Sequence, residues 1–78
     1  MAMYVEHQTM VEMRINFLKQ MHEYVRFHIN DENAYMTWIL IVPDEPQEDD
    51  FEFIANDEDL WTSACSTFGK LVKRYEGR

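Results

Sequence analysis

The stretch on which the fold turns is Ala34-Tyr35-Met36-Thr37-Trp38-Ile39-Leu40-Ile41-Val42. Tyr, Thr, Trp, Ile and Val are the side chains that suit a pleated, half-buried surface, and Pro43 closes the run because it brings no amide hydrogen to a ladder. The stretch therefore predicts a strand. Met36, Trp38, Leu40 and Val42 would line one face of it and Tyr35, Thr37, Ile39 and Ile41 the other. With both faces apolar, such a strand is expected to be covered twice, by helices on one side and by a second copy or a standing partner on the other. Tyr35, Trp38, Ile39 and Ile41 are the candidates for that apolar contact face.

Upstream, Asn30-Asp31-Glu32-Asn33 reads as a hairpin corner, because Asn and Asp tolerate left-handed backbone and bond to it locally. Glu23 to Ile29 admits two readings. It continues a helix through Val25 and Ile29, or forms a strand with Val25, Phe27 and Ile29 on one face; its aromatic and β-branched content favours the strand. Before it, Met10, Val11, Ile15, Phe17, Leu18 and Met21 recur at helical spacing, and Thr9 with Glu12 has the form of a capping box.

Downstream, Asp44 to Asp50 is a charged loop, and Phe51, Phe53 and Ala55 alternate with Glu52 and Ile54 as a further short strand would. A second helix follows, marked by the stripe Leu60, Trp61, Ala64, Cys65, Phe68, Leu71, Val72 and Tyr75, with Asn56 as its N-cap and Gly77 as its stop. Gly69 inside that helix predicts close packing against a neighbour, since Gly there costs about 1 kcal/mol relative to Ala. The expected fold is a single α+β domain over residues 1–78: helix, two or three antiparallel strands, helix (αβββα or αββα), with both helices on one face of the sheet.

Charge is segregated along this frame. Phe27 to Gly69 holds eleven carboxylates and no Lys or Arg; the residues before sum to zero and those from Lys70 to plus three, giving minus eight in all. Such a field repels phosphate backbones and attracts basic surfaces. Asp31, Glu32, Asp57, Glu58 and Asp59 suit turns and helix starts, which leaves Asp44, Glu45, Glu48, Asp49, Asp50 and Glu52 as the candidate partner-binding cluster.

Catalytic and metal signatures are not found in the pattern. The acidic loop lacks the Asp-x-Asp-x-Asp-Gly spacing of a calcium loop, and His7, His22 and His28 are not separated by one helical turn. Cys65 falls two turns into its helix on the apolar stripe, the place of a core residue and not of an activated thiolate. With two glycines there is no phosphate-cradling loop, so no enzyme activity, cofactor or metal is expected. One cysteine, no basic-then-apolar start and a longest apolar run of Trp38 to Val42 lead to the expectation of a cytoplasmic protein without a membrane anchor.

With three strands, the element order resembles that of double-stranded RNA-binding domains. That resemblance implies basic residues at the start of the second helix, where this chain carries Asp57, Glu58 and Asp59, so direct nucleic-acid binding is not expected. In size and acidity the chain is similar to small phage-encoded inhibitors that bind a host protein. The functional expectation is a non-enzymatic interaction module, a homodimer of the phage- or mobile-element-encoded regulator kind, docking its acidic surface on a basic, nucleic-acid-binding protein. The alternative is an assembly subunit that uses the apolar sheet face, with the acids serving solubility.

Overall fold

The computed structural model describes residues 2–76, with side chains from residue 7 onward. Gly77, expected as a helix stop, lies outside them. α1 runs Ala2–Glu23 and passes without a break into a π-helical stretch, Tyr24–Ile29; α2 is Glu32–Trp38, α3 Glu48–Asn56 and α4 Glu58–Glu76. No strand or sheet occurs among the described residues, which overturns the α+β expectation and removes the likeness to RNA-binding domains that depended on it.

The physical reason is visible in Ala34 to Val42. Ala34, Trp38 and Val42 are all fully buried and four residues apart, the repeat of one helical face. Met36 and Leu40, which a strand would place beside Trp38 and Val42, are 59% and 84% exposed. Asp31 begins α2 from an extended backbone (φ −125°, ψ 130°), its carboxylate accepting the Ala34 amide hydrogen at 3.1 Å. Past Trp38 the turns continue: the amides of Ile39 and Val42 donate to the carbonyls of Tyr35 and Trp38 at 2.9 and 3.1 Å. The β preference of Tyr, Thr, Ile and Val amounts to less than about 1 kcal/mol per residue. Burying Trp38 and Val42 on one inward stripe gives roughly 2 kcal/mol apiece and decides the matter.

The other expected strands fail the same way. Over Glu23 to Ile29 the helical reading is the one realised, because Val25 is buried and Ile29 half-buried while Phe27 faces out. Asn30 ends the stretch in left-handed backbone (φ 51°, ψ 47°), its N–H donating to the Val25 carbonyl five residues back at 3.2 Å. In α3 the buried residues are Phe51, Ile54 and Ala55, a spacing of three and four, and Phe53 is exposed. The Asp50 carboxylate accepts the Gln47 amide hydrogen at 2.8 Å and secures the start of α3.

Caps differ from expectation too. Asn56 closes α3, and Asp57 caps α4 by accepting from the Leu60 amide at 3.0 Å. Thr9 and Glu12 lie inside α1, which begins earlier than a box at that point would allow. Gly69 has nothing within 4 Å of where a Cβ would sit, so no close approach explains it.

Leu18, Val25, Trp38, Val42, Phe51, Ile54 and Leu71 form the core with Ala34, Ala55 and Ala64. α1 lies against α3, the π-helical stretch lies against α2 and α4, and α3 also packs on α4. The body measures 45 × 25 × 19 Å, and its long axis is of the order of α1, which alone is about 33 Å.

Candidate protein-interaction surface

The six candidate acids do not share one role. Asp44 accepts a hydrogen bond from the Tyr35 hydroxyl, Glu48 pairs with Lys19 of α1 at 2.9 Å, and Asp50 is engaged at the α3 N-terminus. Burial and the Asp44 carboxylate together raise the Tyr35 phenol above its ordinary range. Glu45 sits at φ 53° in the turn, its carbonyl accepting from the Gln47 side chain at 3.5 Å. Asp49 and Glu52 form no ion pair with a described cation.

Those last two acids stand on the outer face of α3 with Phe53 and Asn56, at i, i+3, i+4 and i+7. All four are exposed, Phe53 by 67%, because the inward positions are filled by Phe51, Ile54 and Ala55. The helix is pinned from below by Lys19–Glu48 and from its end by the Arg14 guanidinium, which donates to the Ala55 carbonyl at 3.3 Å and to both Glu58 carboxylate oxygens at 3.2 Å. Arg14 also lies over the Trp61 ring, 5.0 Å from its centroid. An aromatic side chain flanked by carboxylates is thus held on a rigid element.

The apolar contact face expected at Tyr35, Trp38, Ile39 and Ile41 is not present. Trp38 is fully buried, its ring edge-on to Phe68 at 6.1 Å, and Tyr35, Ile39 and Ile41 are half-buried against the core. Exposed apolar surface lies elsewhere. A groove of about 370 Å³ runs between α1 and α4, walled by Phe17, Met21 and Tyr24 on one side and Trp61, Cys65 and Phe68 on the other. Cys65, expected in the core, is an exposed wall residue here, and burial against its neighbours raises its thiol pKa, which leaves it unactivated. The signal for its near wall was in the sequence: Phe17, Met21 and Tyr24 repeat at four and three along one flank of α1 and its continuation.

One polar pair lies within the core. The Trp38 indole N–H donates to His22 Nδ1 at 3.0 Å, and His22 is 6% exposed. Since the indole can only donate, the neutral imidazole carries its proton on Nε2, which has no partner. Burial, and after it Arg26, lower the His22 pKa from 6.5; Asp44 and Glu23 act weakly in the other direction. His28 is exposed and lies 3.0 Å from Glu76. Among the described residues no three His, Cys, Asp or Glu side chains converge as a metal site would require. No described helix is long and apolar enough to cross a membrane.

No protein-family model, curated protein or solved structure matches the chain.

Proposed function

We propose that this chain is a non-enzymatic interaction module that docks the outer face of α3, Asp49, Glu52 and Phe53, on a basic protein partner. The observation that supports it is Phe53: an aromatic ring left 67% exposed between two carboxylates on a helix whose opposite side is core. Buried aromatic anchors with a charged rim carry most of the energy of protein interfaces. Carboxylates around the anchor select a partner with Lys or Arg around an apolar pocket, and they disfavour phosphate backbones. Asp44, Glu48 and Asp50 contribute by shaping the loop and the helix start that present this face.

The test is affinity capture from the source cell's lysate at about 50 mM and about 300 mM salt, where exposed charge attraction is progressively screened. Wild-type protein is expected to retain a basic protein that salt releases, and both Phe53→Ala and the pair Asp49→Asn with Glu52→Gln are expected to lose it. Equal recovery by all three proteins would remove α3 from the mechanism.

A further inference from the structure

We propose that the α1–α4 groove is the seam of a homodimer in which two copies of α1 pair antiparallel. This goes beyond the docking reading of α3 and does not rest on it. Two observations carry it, the charge of the groove and the placement of its complement.

First, a chain of net charge minus eight can associate with itself only through a face that spares it like-charge repulsion. No carboxylate lines the groove, whereas the hollows beside α3 and beside the loop before it are lined by Glu12, Glu48 and Glu52 and by Glu23 and Glu45. A strongly basic partner would find nothing to pair with in the groove. A second copy would bring to it the stripe Met10, Met13, Phe17, Gln20 and Tyr24, which carries no charge.

Second, ridge and groove are supplied by the same helix. Met10, Met13 and Phe17 form an exposed ridge along the middle of α1, and the groove begins at Phe17 and extends through Gln20 to Tyr24, just past the end of that helix. These positions follow the alternating three and four spacing of a helix-pairing seam. A ridge that precedes the groove along the chain meets the groove of a second copy only if the helices run in opposite directions, which also sets their dipoles favourably. A two-fold axis crossing the seam midway between Phe17 and Gln20 would seat Met13 of one copy by Tyr24 of the other and Phe17 by Gln20, each contact occurring twice as an isologous interface demands. Ile15 and Lys19, which face α3, are about 160° around the helix from Phe17, so each α3 outer face stays outside the seam.

Sedimentation equilibrium of the full chain, up to about 500 µM, tests this by the concentration dependence of its mass. The expected result is a reversible dimer whose dissociation constant rises at least about tenfold, or about 1.4 kcal/mol, in Phe17→Asp and in Met13→Glu. Helical circular dichroism of both variants must match wild type, and Met13→Glu, on an exposed position, guards against a misfolded Phe17→Asp. Direction is read separately in a Cys65→Ser background: Met13→Cys combined with Tyr24→Cys should form an intermolecular disulfide under mild oxidation, and neither substitution alone should. A monomer throughout, a dimer indifferent to both seam variants, a Met13→Cys to Met13→Cys bond in the Cys65→Ser background, or a seam filled only by a foreign helix bound one-to-one would each overturn the proposal.

Discussion

Lowering the pH should destabilise this protein through His22 in particular. The imidazole is 6% exposed, accepts the Trp38 indole N–H at Nδ1 and has the rings of Tyr35 and Phe51 within 5.9 and 6.4 Å. A proton added to Nδ1 would point at the indole hydrogen, cancel the one hydrogen bond the ring makes and leave a charge among aromatic rings. Burial and Arg26 hold the folded pKa below 6.5, with Asp44 and Glu23 the opposing carboxylates. A group whose folded pKa is depressed below an unfolded value of 6.5 binds fewer protons in the native state, so above 6.5 it costs nothing. Below it, stability falls by up to about 1.4 kcal/mol per pH unit until the folded pKa is reached. For a domain this small, whose total is on the order of 5 kcal/mol, that is a large share. The assay is urea unfolding followed by tryptophan fluorescence between about pH 8 and about pH 5, on wild type and His22→Asn. Asn keeps an acceptor where Nδ1 stands and does not titrate, so the difference between the two proteins isolates the ring from the other acids and histidines. The gap in stability should stay constant above the unfolded pKa and shift against wild type below it. A gap that is flat across the whole range, within about 0.3 kcal/mol, would show that the core accommodates the imidazolium and would refute the reasoning.

Two further outcomes are accessible by the same unfolding measurements. Gly69→Ala should stabilise the protein by up to about 1 kcal/mol, because Gly69 lies inside α4 with nothing within 4 Å of a Cβ; a loss of stability would mean that another surface closes on that position. Asp31→Ala should cost about 1 kcal/mol by removing the acceptor of the Ala34 amide at the start of α2, while Asp31→Asn should cost much less; equal losses would point to charge and not to the cap.

The two long helices were legible in the sequence because their apolar stripes outlast their local preferences. Over Glu58–Glu76 the residues Leu60, Ala64, Phe68, Leu71 and Tyr75 keep helical period across about four turns, with Glu58 and Asp59 at one end and Lys73 and Arg74 at the other. Ala34 to Val42 is different. Six of its nine residues are aromatic or β-branched, and apolar side chains stand at eight, so almost any period can be laid over it. A run with too many apolar residues contains no information on which of them go inside. What selects the helix is the neighbourhood: Leu18, His22 and Phe68 meet a single stripe at Ala34, Trp38 and Val42, and the indole N–H finds its only acceptor on α1. That pairing, sixteen residues apart, has no local signature.

The candidate acids illustrate the same limit from the polar side. Six carboxylates in nine positions are conspicuous in the sequence, yet Asp44, Glu48 and Asp50 are taken up by Tyr35, Lys19 and the Gln47 amide once the chain folds. The cluster was legible and its division was not, since the division depends on α1 lying along α3. Phe53 was hidden for a related reason. Alternation with Glu52 and Ile54 placed it in a strand, on the same face as Phe51 and Ala55. The turn of a helix rotates it about 160° away from Phe51, which is buried, and out into solvent between Asp49 and Glu52. The choice of period thus fixes more than the fold class. It decides whether this ring is part of the core or the anchor of a docking face, and a sequence read in the wrong period conceals the feature on which the proposed function depends.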